Sequence, residues 1–316
     1  MADKKKREIA ILLATYNSGD YLRELLDSLL NQSYRDFVCY AHDDGSKDGT
    51  PDILRHYAEN TDLEMVILNY PPTGSAKANF MSMIKYVEEP YLMFCDHDDV
   101  WLDNKIEKSI TRIKAIEENG MPALVFTDLY VVDQNLNVID DSFMRYSGIN
   151  PRRYNFNDLL LENVAPGCTM IANKALYKMA NELQDCNSIR MHDHWFMLLA
   201  AGAGIIDFID EPLILYRQHN DNELGAVKKT SAIKRAQIIT NKIIARQYKK
   251  DFRKWIAIMQ SQASEVADIE GVRPEYRAMC MEFSSINDEN KLRRVAFYYK
   301  NAILRRKYNL WFLLCC

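Results

Sequence analysis

Four short apolar runs, each the length of a strand and each leading into a polar turn, limit the fold of this chain more than any other feature. They are Glu8-Ile9-Ala10-Ile11-Leu12-Leu13-Ala14, Phe37-Val38-Cys39-Tyr40-Ala41, Met65-Val66-Ile67-Leu68 and Tyr91-Leu92-Met93-Phe94-Cys95. Apolar runs this short and this continuous are expected of strands buried on both faces. Between them, Tyr21 to Leu30 carries apolar residues at helical spacing, Pro51 opens a helix through Tyr57, and Gly74 to Val87 makes a third helix. Proline is favoured in the first helical turn. Four strand–helix alternations predict an α/β fold with an open, mostly parallel sheet and right-handed crossovers.

In such sheets ligands sit at the carboxyl ends of the strands. Three polar clusters fall there: Thr15-Tyr16-Asn17, Asp43-Asp44-Gly45-Ser46 and Asp96-His97-Asp98-Asp99. Crowded carboxylates repel, so a folded protein tolerates them best where a cation or a wet cleft compensates. Asp96 and Asp98 are alternate residues and would point to one side of an extended segment. They suit a hard divalent cation bound through oxygen and shared with a phosphate. The plain alternative is an acidic turn in which Asp99 caps a helix beginning near Trp101. No Gly-x-Gly-x-x-Gly follows the first strand and no Gly-Lys-Ser/Thr loop occurs, so dinucleotide and P-loop sites lose their main support.

With 316 residues, 48% hydrophobic and 27% charged, the chain has room for a large core and lacks the composition of a disordered one. The seven cysteines form no Cys-x-x-Cys pair. Met1-Ala2-Asp3-Lys4-Lys5-Lys6 is no signal peptide, which predicts a reducing cytoplasm. No apolar run reaches the length needed to span a membrane. The net charge of −4 hides an asymmetry: residues 226–316 hold 19 Lys/Arg against 8 Asp/Glu, and residues 1–225 hold 21 against 36. That division predicts two regions with different partners, one over 1–225 and a basic one over 226–316.

Within the basic region, Lys228 to Lys254 contains ten basic residues and one acid, Asp251. Ile233, Ile238, Ile239, Ile243, Ile244, Tyr248, Phe252, Trp255 and Ile256 recur at helical intervals, giving an amphipathic basic helix. An anionic membrane surface, the catalytic domain or a second copy of the chain would each accept its apolar stripe. A second basic segment, Lys291 to Lys307, leads into Leu310-Trp311-Phe312-Leu313-Leu314. The aromatics are not interleaved as stacking platforms, so no nucleic-acid partner is expected.

Taken together, Ala14-Thr15-Tyr16-Asn17, Asp43-Asp44-Gly45-Ser46-x-Asp48-Gly49-Thr50 and Asp96-His97-Asp98-Asp99-Val100-Trp101 resemble the inverting family 2 glycosyltransferases of the GT-A fold. Downstream, Asn163-Val164-Ala165-Pro166-Gly167-Cys168-Thr169-Met170 is similar to the acceptor-side loop of the rhamnosyltransferase-like branch. Met191-His192-Asp193-His194-Trp195 resembles its catalytic-base segment, and Tyr216-Arg217-Gln218-His219 its closing signature. The resemblance covers residues 7 to 225.

It implies transfer of a sugar from a nucleoside-diphosphate sugar, dTDP-rhamnose or a UDP-sugar, to a hydroxyl of a glycan or polyprenyl-linked acceptor in cell-surface polysaccharide synthesis. Asp98 would ligate Mg²⁺ or Mn²⁺, with Asp96 touching the metal or the ribose and His219 serving as a further ligand or diphosphate contact. Asp44 would accept from the imide N–H of the base. Thr15, Tyr16, Asn17 and Asp43 would surround the nucleoside, although Asp43 and Asp48 also suit plain turn chemistry. Lys77 and Asn79, at the start of the third helix, would meet the diphosphate, with a solvated position the plainer reading of Lys77. Asp193 would be the general base, flanked by His192 and His194, or the N-cap of the helix that follows. Gly167, His192 and Trp195 would face the acceptor, Trp195 by stacking on a sugar or else from the core. Cys168 reads as a small buried residue. A peripheral place on the inner face of the cell membrane fits such an acceptor. The rival is a non-catalytic nucleotide- or carbohydrate-binding scaffold of the same fold.

Overall fold

The computed structural model describes residues 6–19, 21–118, 120–219 and 242–303. In chain order the first half comprises β1 (Ile9–Thr15), α1 (Tyr21–Leu30), β2 (Phe37–Asp43), α2 (Thr50–Asn60), β3 (Met65–Ile67), α3 (Ala76–Met83), β4 (Tyr91–Asp96), β5 (Val100–Trp101) and α4 (Lys105–Ile116). Then follow β6 (Ala123–Val132), β7 (Val138–Asp140), α5 (Phe143–Ser147), α6 (Phe156–Leu159), β8 (Ile171–Asn173), α7 (Lys174–Ala180), α8 (His192–Ala203) and β9 (Ile205–Arg217). Three helices close the described chain: α9 (Lys242–Asp268), α10 (Pro274–Ser285) and α11 (Lys291–Lys300).

The strands form one nine-stranded sheet in the order β3-β2-β1-β4-β8-β6-β9-β5, with β7 on β6. β1 pairs in parallel with β2 and β4, β2 with β3, and β6 with β9, whereas β8 runs against both β4 and β6. The four strands expected from the apolar runs are all present and parallel. β8, together with β5 antiparallel to β9 and β7 antiparallel to β6, makes the whole sheet mixed.

The continuous apolar run of β1 has a simple cause. Successive strand residues face opposite sides, and both sides are covered. Ala10, Leu12 and Ala14, with Leu92 and Phe94 of β4, join a core that reaches α3, α7, α8 and the closing helices. Ile9, Ile11 and Leu13, with Met93 and Cys95, face α1, α2 and α4. The seven residues of β1 are all buried.

The helix α9 packs through Phe252, Ile256, Met259, Ala263 and Val266, a four-and-three spacing that keeps one stripe on one side. Phe283 of α10 and Phe297 and Tyr298 of α11 belong to the same core. Phe252 and Ile256 of the expected basic amphipathic helix are thus turned into protein, and Trp255 packs against that core. The remaining stripe positions, the 225/226 boundary and residues 304–316 lie outside the described residues or their described side chains. Among the described residues no helix is long and apolar enough to cross a membrane.

Register places the polar clusters on one edge. Thr15 is aligned with Asp43, and Ala14 with both His42 and Asp96. The carboxyl ends of β1, β2 and β4 therefore finish level, and the chain turns there three times.

Candidate active site

The β2 end is held by its own carboxylates. Asp43 accepts from the Ser46 amide at 2.9 Å, the Gly45 amide at 3.2 Å and Thr15 Oγ1 at 3.0 Å. Asp48 accepts from the amides of Thr50 and Gly19, each at 3.0 Å. Asp43 and Asp48 are thereby committed to turn chemistry. Asn17 adopts φ 46° and accepts from the Lys47 amide at 3.0 Å, which locks the β1 turn to the β2 turn. Tyr16 is 56% exposed. Asp44 accepts from the Thr73 hydroxyl at 3.0 Å, from the Thr73 amide and from the Gly74 amide at 2.9 Å, so the loop before α3 folds onto it.

Two expected contacts of this donor edge are corrected. Asn79 is buried in α3, where its Oδ1 meets His42 Nδ1 at 2.8 Å and its Nδ2 donates to the His42 carbonyl at 3.3 Å. It braces β2 from inside, with both ends of its amide engaged by His42. His42, whose ring stacks on Tyr70 at 3.6 Å between centroids, carried no signal beyond its place in the second strand. Lys77 reaches across to donate to the Ile189 carbonyl at 2.8 Å and is not a solvated residue.

At the β4 end, Asp98 Oδ2 and His219 Nε2 lie 2.8 Å apart, with side chains 12% and 11% exposed. Two segments separated by 120 residues meet here because β9 runs beside β5 and delivers His219 to the turn after β4. Carboxylate oxygen and imidazole nitrogen at this spacing form a donor pair in which a divalent cation can take the place of the shared proton. Asp96 is half-buried on the same turn.

Asp96, Asp99 and Cys168 also bring donor atoms within 4.8 Å of one another, but Asp99 and Cys168 are fully buried. Asp99 accepts from the Arg217 amide at 3.2 Å, and burial, with Asp98 and Asp96 alongside, pushes its carboxyl well up. It caps no helix: the chain continues into β5, and α4 starts only at Lys105 behind Asn104. Lys105 itself is fully buried, its Nζ 3.5 Å from the centroid of Trp101. Burial pushes that ammonium down to about 7. Nothing in the helical pattern of α4 marked Lys105, since a lysine at a helix start reads as a solvated end.

Asp193 stands in the first turn of α8, whose N-cap is Met191. It is therefore inside the helix and not its cap. Burial pushes its carboxyl up to about 6, against hydrogen bonds from the His194 and Gly167 amides, the nearby Arg190 and the Asn163 side chain. The positive end of the helix dipole also favours the ionised form. The turn Gly167–Thr169 lies between Asp193 and Asp96. A Cβ on Gly167 would lie 3.5 Å from that of Asp193, and the next residue, Cys168, has its sulfur beside Asp96.

His192 and Trp195 are corrected as acceptor contacts. His192 is 4% exposed, wedged between the rings of Phe80 and Phe94 at 4.4 and 4.6 Å. Neither ring nitrogen has a hydrogen-bond partner, and burial pushes its imidazole down to about 3. Trp195 is 0% exposed and donates its indole N–H to the Ala180 carbonyl at 3.0 Å. Both follow from helical geometry: Asp193 is the partly exposed residue of the first turn of α8, and its neighbours His192, His194 and Trp195 point into the core. Gly167 does sit beside Asp193, and its missing side chain makes room for His192 Nε2, which an added Cβ would meet at 2.5 Å.

Known proteins agree with this architecture. The dTDP-rhamnosyl transferase RfbG of Shigella flexneri is 28% identical over 244 residues, covering 73% of this chain and 80% of RfbG. Staphylococcus aureus TarS (residues 1–349), solved in complex with UDP-GlcNAc, superposes with a TM-score of 0.56 at 16% identity, over 93% of this chain and 80% of that one. The mannosyltransferase PcManGT of Pyrobaculum calidifontis, solved with GDP-Man and Mn²⁺, does so with a TM-score of 0.52 at 14% identity, over 98% of this chain and 79% of that one. These two likenesses establish the GT-A type of fold. Residues 10–179 match the family profile described as Glycosyl transferase family 2. That match takes in more than half of the chain, from β1 into α7, and by it this protein belongs to glycosyl transferase family 2 and is a glycosyltransferase.

Proposed function

We propose that this glycosyltransferase moves a sugar, with inversion, from a nucleoside-diphosphate sugar to a hydroxyl of a glycan or lipid-linked acceptor in cell-surface polysaccharide synthesis, with a divalent cation at Asp98. One observation supports the reading: the Gly167–Cys168 turn lies against Asp193 on one side and brings the Cys168 sulfur within 4.8 Å of Asp96 on the other, so a raised carboxyl and the aspartate-rich turn are separated by one short turn. Asp98 and His219, with Asp96, would hold Mg²⁺ or Mn²⁺, which offsets the charge developing on a departing diphosphate. The imidazole in the set favours Mn²⁺.

Asp193 takes the proton of the acceptor hydroxyl as it attacks the anomeric carbon from the side opposite the diphosphate. Its raised carboxyl makes it a stronger base than an ordinary aspartate, and it must be ionised to act. Asp44 lies where a base would meet the β2 turn. Its oxygens already accept from Thr73 and Gly74, so a pyrimidine imide would share them or displace that loop. The rhamnosyltransferase relative favours dTDP-rhamnose as donor, and the UDP-GlcNAc complex of TarS favours a UDP-sugar.

The test is donor-binding thermal shift against dTDP-rhamnose, UDP-glucose and UDP-GlcNAc with and without Mn²⁺, followed by transfer assays. A Mn²⁺-dependent shift with one donor is expected, because ligand binding to the folded state raises apparent stability by mass action. Asp193→Asn should keep that shift and lose transfer. Turnover equal to wild type in Asp193→Asn would refute the base assignment.

A further inference from the structure

Arg217 ends β9 and is 1% exposed, a charged side chain enclosed by protein. Its fork reaches three other segments. Nε donates to the Asp98 carbonyl at 2.9 Å, Nη1 to the Gln134 carbonyl at 2.6 Å, and Nη2 to Glu24 Oε2 at 2.5 Å. Its own backbone amide donates to Asp99 at 3.2 Å. The guanidinium also lies 4.4 Å from the ring centroid of Tyr21, and that ring sits 5.1 Å from the imidazole of His219. One planar cation thus ties the turn after β4, the β6–β7 turn and α1 to the strand that carries His219.

The sequence sets His219 two residues beyond Arg217, past the end of β9, beside the first residue of α1. Asp98 stands in a turn whose other carboxylates repel it. Asp98 and His219, 2.8 Å apart, lie on separate segments, so their relative placement depends on what ties those segments together. A guanidinium suits this because its donors are rigid and planar, so fixing one partner fixes the direction of the others.

We propose that Arg217, backed by Tyr21 and Glu24, is a positioning residue that presets the Asp98–His219 pair for its cation. Through Nε it anchors the Asp98 main chain and hence the direction of the carboxylate. Through Tyr21 it sets the plane of the His219 ring. This rests on the reading that Asp98 and His219 hold the metal. Groups that orient metal ligands typically change affinity by about ten- to a hundredfold when removed.

The experiment is Mn²⁺ titration of the full chain in the presence of dTDP or UDP, following the free aqua-ion signal by electron paramagnetic resonance. It compares wild type, Asp98→Asn, Arg217→Lys, Glu24→Gln and Tyr21→Leu, with circular dichroism to certify folding. Asp98→Asn should lose nucleotide-dependent Mn²⁺ binding. Arg217→Lys keeps the charge and loses the fork. Its Mn²⁺ midpoint should rise about tenfold or more, while kcat at saturating Mn²⁺ stays within about threefold of wild type. Glu24→Gln and Tyr21→Leu should move the midpoint the same way by about threefold, and they carry the test if Arg217→Lys does not fold. Wild-type Mn²⁺ binding by Asp98→Asn would refute the metal site itself. Loss of binding in Asp98→Asn with wild-type midpoints in the folded Arg217, Glu24 and Tyr21 variants would overturn the positioning role alone.

Discussion

Asp193→Asn should separate catalysis from stability, and the structure sets both the sign and the size. Burial raises the Asp193 carboxyl from its ordinary value of 3.8 to about 6 in the folded chain. Below about pH 4 both folded and unfolded chains hold this proton, and the group is neutral on either side. Between pH 4 and 6 the unfolded chain has released it and the folded chain has not. The folded state then binds more protons, so stability falls as pH rises through this window. Above pH 6 the folded protein carries a carboxylate held in a desolvated place, at a cost of roughly 3 kcal/mol at about 1.4 kcal/mol per unit.

Asparagine has no such charge and escapes that cost. The difference in unfolding free energy between Asp193→Asn and wild type should therefore rise by roughly 3 kcal/mol between pH 4 and pH 7. An offset common to all pH values is expected too, because an amide accepts more weakly from the His194 and Gly167 amides than a carboxylate does. Urea unfolding at pH 4, 5, 6 and 7, read by tryptophan fluorescence, measures the difference directly. Transfer should fall by about a hundredfold or more, the usual worth of a general base. A stability difference that is flat with pH, or that shrinks as pH rises, would refute the claim that a desolvated base carboxylate sits at the head of α8.

The same carboxyl should give kcat/KM an acidic limb with a midpoint near pH 6 in wild type, rising to a plateau above it, measured with donor saturated and acceptor varied. Gly167→Ala sets a Cβ against a ring that Phe80 and Phe94 hold in place. It should cost about 1–3 kcal/mol of stability, and adding His192→Ala should return part of that loss, a non-additivity that a double-mutant cycle resolves. Trp195→Phe removes the bond to the Ala180 carbonyl and should lower stability by about 1–3 kcal/mol while leaving the acceptor KM unchanged; a large rise in acceptor KM would restore Trp195 to the cleft. Asn79→Ala should destabilise the fold by about 1–3 kcal/mol by orphaning buried His42, with donor KM changed only as far as β2 shifts.

Elements whose burial is set locally were legible from residue order. β1, β2 and β4 read correctly because strands covered on both faces are apolar almost throughout, β3 from its apolar run although it is an edge strand with Val66 and Ile67 exposed, and α1 and α2 because each buries a single stripe. The later sheet was harder to read. β8 has three residues, and β6 passes a register shift at Thr127–Asp128, so neither leaves a long periodic signature. Asp98 was read as a metal ligand and His219 as a metal ligand or diphosphate contact, and the two side chains lie 2.8 Å apart. Asn79 was assigned from its place at a helix start, and His192 and Trp195 from the segment around Asp193, with the core left open for Trp195. A helix turns successive residues away from one another by about 100°, so closeness in sequence there does not mean closeness in space.

Residue order by itself determined an alternating α/β chain, three polar turns at one sheet edge and the identity of the carboxylates gathered there. Those follow from local rules: apolar periodicity, strand length and the chemistry of turns. Only the tertiary structure decided which of those side chains face the cleft and which brace it. Asp43, Asn79, His192 and Trp195 serve the frame, and Arg217, marked in sequence only as part of a signature, ties three other segments to the strand of His219. The reason is physical. A side chain's role depends on which partners satisfy its polar atoms and how much water remains around it, and both are fixed by segments far away along the chain.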